Sequence, residues 1–560
     1  MCKSRSGDAM RKGFEVLAMG AVLLGNAAPT VLQPGRDIHL EFGPASETGA
    51  TIRLRRGQSA DIAVVQRGID VVVQVRSPNG ILLDEIDSPN GRNGDEPVSI
   101  YAKTGGDYGL TIRPISSSEP QGNIDIQVRA FRNAAQTTQF RREQAELRAS
   151  AAVWLRRNDG ALPPLGEIAA AGALEPFDSL AASARVIGLG EATHGSREFG
   201  DARIALTQRL IERHGYRLVA LEDSTSRWRA LEPYVAGLAG TSATATEWGW
   251  IGRRSRHQLL EWTRTWNLHH PSDRVRIVGV DPQGNDLARA GLPPLLERAY
   301  GETFAKAWQK PAIELAAADE QTEVFGDSSV DLGTHAFAME LLARVESDAP
   351  LLRSRLGESD YGRALDYVRE LAAFADFNSG NGPLSKSRDW YMALALLRSI
   401  GTSNAKAILW GHNSHISIAG TSPTGALLRN ALGCGYRAIA TTFGEGSFLA
   451  QIPNDPADRL EVTTVPAPME QAVEAALAEV RAGPHVAAWA CGVDADKGTS
   501  WLQTTRPMRW VGGLYAPGSA RSASFRSYKL TEAFDGIVYF PRVTAEAAPA
   551  DRPRIPARQR

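Results

Sequence analysis

From residue ~160 to residue ~545 the chain repeats one arrangement, a short apolar run followed by a stretch with helical spacing. The runs are Arg185-Val-Ile-Gly-Leu-Gly190, Arg217-Leu-Val-Ala-Leu-Glu222, Val275-Arg-Ile-Val-Gly-Val-Asp281, Ala405-Lys-Ala-Ile-Leu-Trp-Gly411 and Tyr436-Arg-Ala-Ile-Ala-Thr-Thr442. A strand that alternates apolar and polar residues has one wet face, whereas a continuous apolar run suits a strand covered on both faces of a parallel sheet. The predicted fold is therefore α/β, a parallel-rich sheet flanked by helices. Ala202, Leu206, Leu210 and Ile211 form the apolar stripe of one such helix, which Gly215 ends. Residues 286–376 carry helical spacing without strand signals and are expected to be a helical insertion. A late run, Gly536-Ile-Val-Tyr-Phe540, is expected to complete the sheet.

In an open α/β sheet, ligands bind beyond the carboxyl ends of the strands. The first run ends in Gly190-Glu-Ala-Thr-His-Gly195, the second in Glu222-Asp223, the third in Asp281 and the fourth in His412-Asn-Ser-His415. Core packing has no use for Glu191, His194, Glu222, Asp281 and His412 at one edge, because a desolvated carboxylate costs several kcal/mol unless paired. A functional site at this edge follows. Some members stay open to two readings: Asp281 as a turn cap, His415 as a structural histidine, Arg203 as a solvated arginine or a group that reaches a substrate anion. Asp223 reads as a turn cap, and Ser196 as the start of the helix that carries Glu198 and Arg203.

The missing motifs narrow the chemistry. There is no GxSxG elbow, no GxxxxGK[ST] loop and no HExxH. Histidine and carboxylates without a serine or cysteine nucleophile suit attack by water. A neutral His194 can take the proton, Glu191 or Glu222 can fix its tautomer, His412 can polarise a carbonyl or protonate the leaving group, and Arg203 or Arg388 can face an oxyanion. His412 and His415 at HxxH spacing keep a metal site open as an alternative.

Outside this unit, residues 35–132 read as a small all-β sandwich, with alternating runs such as Asp70-Val-Val-Val-Gln-Val75 between Gly, Asn and Pro turns. Residues 133–158 read as a helical connector. Residues 1–34 have a leader layout: Arg11 and Lys12, then the apolar run Val16–Gly25, too short to span a bilayer as a helix. Export to the periplasm or the medium is the expectation. Residues 546–560 are basic and proline-rich and are expected to fray. The 62 Lys+Arg against 63 Asp+Glu leave no basic excess, so nucleic acid is not an expected partner. Cysteine occurs only at positions 2, 434 and 491. One bridge, Cys434–Cys491, is open to a mature chain, but two unpaired buried thiols are the expectation.

The strings GLGEATHGSREF, GYRLVALED, LLEWTRTWN, VRIVGVDPQ, SRDWYMA, LWGHNSHI and FDGIVYF stand in the order of the erythromycin esterases, which residues ~150–545 resemble. The sandwich resembles, more distantly, the prepeptidase-C-terminal modules of secreted enzymes. The esterase resemblance implies hydrolysis of an ester or macrolactone, in the founding members that of 14-membered macrolides, by water and without a required metal or cofactor. It implies His194 as general base with Glu191, Arg203, Glu222 and His412 as catalytic partners, and His415 as the second histidine of the HNxH segment. His415 is expected against the substrate together with Arg388 and Asp281, which are read from their own positions in the sequence. A leader and a β-module depart from the layout of the resistance enzymes, which puts macrolide detoxification in question. The alternatives are a haem- or metal-binding protein that hydrolyses nothing, and a metal-dependent hydrolase of an envelope ester.

Overall fold

Alternation places Ile52, Val64, Val73, Ile112 and Ile126 inside a β-sandwich. One sheet runs in the order Thr30–Val31, Thr48–Leu54, Gly106–Pro114, Val71–Arg76, Leu82–Ile86, and the other Ile38–Phe42, Gly122–Arg132, Ser59–Arg67, Asn93–Tyr101. This computed structural model describes residues 29–547 except 87–91, 116–118, 239, 242–252, 326–328, 380–385, 402–404, 421, 453–458, 494–497 and 516–523. The leader's apolar run and the basic end of the tail lie outside the described residues. The expected boundary at residue 34 is corrected: Thr30–Val31 pair with Thr48–Leu54, and Leu32 is buried in the sandwich core.

The helix Ala134–Arg157 leaves the sandwich through a capping box between Asn133 and Gln136. Ala151, Ala152 and Leu155 bury its far end against the large sheet, and Arg148 pairs with Glu479 at 2.7 Å.

The large sheet has nine strands, eight of them in the order Asp159–Ala161, His485–Ala488, Gly536–Val543, Tyr436–Gln451, Val186–Leu189, Lys406–Trp410, Tyr216–Ser224, Arg276–Asp281, with Leu460–Val465 on the long strand Tyr436–Gln451. From Gly536–Val543 to Arg276–Asp281 every neighbour is parallel. Successive residues point to opposite faces, so Ile187, Leu189, Val219, Leu221 and Ile408 enter one core while Val186, Leu218, Ala220, Ala407 and Leu409 enter the other. Two filled faces explain the continuous apolar runs.

Six helices, from Asp286–Tyr300 to Glu358–Phe377, follow the edge strand with no strand among their described residues. They enclose a core of their own, including Leu292, Trp308, Leu341, Leu371 and Phe374. No helix among the described residues is long and apolar enough to cross a membrane.

Two further expectations are corrected. Cys434 and Cys491 form a disulfide. Their Cα atoms stand 5.9 Å apart, within bridging range, although 57 positions separate them in sequence. The fraying tail does not start at 546, since Glu546 is 8% exposed and hydrogen-bonded into the main domain.

Candidate active site

Four parallel strands bring the chemistry to one edge: Val186–Leu189 and Lys406–Trp410 hand over to turns that carry Glu191, His194, His412 and His415, while Glu222 and Asp281 lie in the last residues of Tyr216–Ser224 and Arg276–Asp281. After Val186–Leu189 the chain turns through Gly190–Gly195 into the helix Arg197–His214, with Ser196 as N-cap. Two positions in this turn exclude any side chain. A Cβ on Gly190 would lie 2.2 Å from the Asn413 amide oxygen, and one on Gly195 would lie 1.8 Å from the Leu449 carbonyl oxygen. Asn413 fastens the neighbouring turn by imitating a peptide: its Nδ2 donates to Thr441 O at 2.9 Å and its Oδ1 accepts from Thr441 N–H at 3.1 Å.

Glu191 is the hub of the first cluster. Oε1 meets His194 Nδ1 at 2.7 Å, and Oε2 meets Arg203 Nη2 at 2.6 Å. Burial opposes its charge, but the Arg203 guanidinium and His194 outweigh that and hold its carboxyl below the usual range. Arg203 sits two turns into the following helix, and its guanidinium also lies 4.8 Å over the Trp410 ring. It is buried behind Glu191, which corrects the reading of it as a solvated arginine or one that reaches a substrate anion. The His194 side chain keeps 25% of its exposure. In the tautomer that gives Nδ1–H to the carboxylate, Nε2 is the acceptor.

Glu222 is the hub of the second. Oε2 accepts the His412 backbone N–H at 2.7 Å, while Oε1 faces Arg388 Nη2 at 3.1 Å and His415 Nε2 at 3.2 Å. Although buried, it is held well below the ordinary carboxyl range by His415 and Arg388. Arg388 also grips Asp281 with two nitrogens, Nε at 2.9 Å from Oδ1 and Nη2 against Oδ2. Burial works against its charge, and Asp281 and Glu222 more than restore it. Asp281 also accepts the Gln283 N–H at 3.1 Å, as a turn cap does. His415 Nδ1 lies 2.8 Å from Asp389, which in turn accepts the N–H and hydroxyl of Thr424, each at 2.7 Å. Burial resists a charge on His415, yet Glu222 and Asp389 carry its pKa to about 10. The ring thus lies between two carboxylates, one at each nitrogen, with Arg388 Nη1 also 3.4 Å from Nε2.

His412 is the opposite case. Burial, and His194 with its ring centre 5.5 Å away, push its pKa down to about 3. Nδ1 accepts the Ser414 N–H at 3.3 Å, with the Ser414 hydroxyl at 2.8 Å, so Nε2 carries the proton and faces Ala192 O at 3.3 Å. Trp510 stands edge-on to its ring at 5.1 Å.

All eight residues singled out in sequence belong to this edge, in two clusters joined by the His194–His412 contact. Sequence reasoning missed Arg256, whose Nε is 3.2 Å from Asp223 and whose Nη2 is 3.4 Å from Glu222 O. It missed Asp389 as the partner of His415, although Asp389 directly follows Arg388. Trp510 gave no signal of its own. Asp223 is an ion-pair partner of Arg227 and Arg256, and Ser224 caps the following helix instead. Among the described residues no three His, Cys, Asp or Glu side chains converge as a metal would require. Glu191 and Glu222 each already face a guanidinium.

A parallel sheet that delivers acid–base pairs from its strand ends is the frame of an α/β enzyme. A model of the erythromycin esterase family matches residues 211–543. The chain belongs to that family, whose activity is that of an esterase-type hydrolase. It is 26% identical over 299 residues to erythromycin esterase type I of Escherichia coli, covering 48% of this chain and 72% of that protein. It is 23% identical over 321 residues to the type II enzyme of the same organism, covering 50% and 74%. Among solved structures, a protein from Bacillus cereus shares the fold with a TM-score of 0.57 and 19% identity over 71% of this chain and 98% of its own. The erythromycin esterase EreC, solved in an open conformation, matches with a TM-score of 0.50 and 21% identity over 66% and 93%. Glu191, His194 and Arg203 precede the matched range, while Glu222, Asp281, Arg388, His412 and His415 lie within it.

Proposed function

We propose that the protein hydrolyses a carboxylic ester or lactone by direct attack of water, with His194 as general base. The observation that carries this reading is the Glu191–His194 contact at 2.7 Å, with the imidazole partly open to solvent. Water attacks the acyl carbon and gives its proton to His194 Nε2. Glu191 holds the imidazolium that forms, and Arg203 holds Glu191. The tetrahedral intermediate then breaks its bond to the alkoxy oxygen, which takes the proton back from His194. The products are a carboxylic acid and an alcohol. Arg388 and His415 stand at this edge among Glu222, Asp281 and Asp389, and in this reading they face the carbonyl oxygen as negative charge develops there. His412, neutral and engaged at both nitrogens, orients the Ala192 carbonyl in the turn that carries His194. No step in this scheme calls for a metal or cofactor, and activity should survive chelation.

We further propose that the protein works outside the cytoplasm. The apolar leader supports this, as does the Cys434–Cys491 bridge, since disulfides persist in oxidising compartments. A macrolide is the substrate to try first, because the curated relatives are erythromycin esterases. Mass spectrometry of a 14-membered macrolide with wild type and with His194→Ala tests the reading. Gain of one water by wild type alone supports it. Gain by both removes His194 as base, and gain by neither removes macrolides and sends the search to esters of the cell envelope.

A further inference from the structure

The chain continues past the last sheet strand and returns to the site. Thr544, Ala545 and Glu546 lie along the turn that follows His194, and each is tied down. Arg197 N–H donates to Thr544 O at 3.0 Å, and the Glu198 carboxylate accepts the Thr544 N–H and hydroxyl, each at 2.7 Å. Ser196 and Ala545 form an antiparallel bridge, and Glu546 N–H donates to Gly195 O at 2.9 Å. The family match stops at residue 543, just before this strap.

The Glu546 side chain reaches a third segment. Its Oε1 accepts the backbone N–H of Arg254 at 2.9 Å, in the first turn of the helix Arg253–His269. Arg256, one residue further along that turn from Ser255, faces Asp223 and the Glu222 carbonyl. The Arg254 guanidinium pairs at 2.7 Å with Asp201, on the helix that carries Arg203. Glu546 is thus the point where the turn after His194, the C-terminal strap and the helix of Arg256 meet. A buried carboxylate is costly, and burial together with nearby Glu191 pushes this one up. Its acceptor is spent on a helix N-terminus, where a negative charge is favoured.

We propose that Glu546 is a positioning residue of the active site: by docking the helix Arg253–His269 onto the turn Gly195–Glu198, it holds Arg256 against the Glu222 strand end and holds His194 in place beside Glu191. The inference rests on the hydrolase reading for its kinetic part only.

The test compares full-length wild type, Glu546→Ala and Glu546→Gln. Amide hydrogen exchange is read at residues 195–199 and 254–258, and hydrolysis of p-nitrophenyl butyrate gives kcat and KM. The alanine variant should exchange about tenfold faster at both segments, with the sandwich unchanged. Its kcat should fall about tenfold with KM within about twofold, since the geometry of reacting groups is what is lost. Glutamine keeps the acceptor and should restore both. Unchanged exchange at residues 195–199 and 254–258 in the alanine variant overturns the proposal, as does a loss of protection or kcat that glutamine fails to restore. If wild type hydrolyses no ester, the functional reading fails while the exchange arm still decides the proposal.

Discussion

Arg203 and Glu191 form an ion pair at 2.6 Å that is almost withdrawn from water, their side chains 7% and 4% exposed. Removing one partner of such a pair leaves the other charged and buried, at a cost of about 3–5 kcal/mol. Arg203→Met should lose about that much in urea unfolding and abolish hydrolysis, because Glu191 then has no fixed orientation for His194. Adding Glu191→Gln should recover stability without recovering activity. A single variant as stable as wild type would mean that the pair is not held as described.

The charged state of His415 predicts an alkaline limit to stability. Its folded pKa, about 10, lies above its ordinary 6.5, so the stabilisation it gives is complete below about 6.5 and is lost as pH rises through about 10. Glu191, Glu222 and Asp389 are shifted down, so their contribution is present above the ordinary carboxyl range and is lost as pH falls below it. The melting temperature should decline from near neutrality towards pH 10, and His415→Gln should flatten that decline. An unchanged alkaline limb in the variant rules this account out.

Gly195 makes a steric prediction. Alanine there would set its Cβ 1.8 Å from the Leu449 carbonyl oxygen, which belongs to a sheet strand and cannot move aside. Gly195→Ala should cost about 3 kcal/mol or more, or fail to reach the native state. Gly483→Ala, with no atom within 4 Å of the new Cβ, is the control and should be nearly neutral. Equal melting temperatures for the two variants would contradict the close approach.

The Cys434–Cys491 bridge closes a loop of 57 residues, so breaking it should remove about 3–4 kcal/mol through the entropy of the unfolded chain. Guanidinium unfolding with and without reductant, compared with Cys434→Ser, measures this. Coincident curves for oxidised and reduced protein would leave the bridge without energetic weight.

What was legible in the sequence is what the sheet dictates. Continuous apolar runs announced strands covered on both faces, and the residues that end them had to share one edge, so Glu191, Glu222, Asp281 and His412 could be grouped without coordinates. Arg256 and Glu546 could not, because a helix and a tail bring them in from elsewhere and no periodicity marks their targets. The state of each histidine was equally hidden. His412 and His415 stand three positions apart in one short string, yet one is buried against neutral partners and the other between two carboxylates. The cysteine pairing was missed because two isolated thiols 57 positions apart carry no signal of their proximity.

The central place of the strand Val186–Leu189 also says something about how the molecule comes together. Its hydrogen-bonding neighbours are Lys406–Trp410 and Tyr436–Gln451, more than two hundred positions later in the chain. Loop closure over such distances comes before any contact repays it, which makes folding slow. The turn bearing Glu191 and His194 therefore has no partner strands until the last third of the polypeptide has arrived. The edge that gathers Glu191 and His194 is therefore expected to form late in folding, and a chain stopped before residue 406 should carry them without either flanking strand.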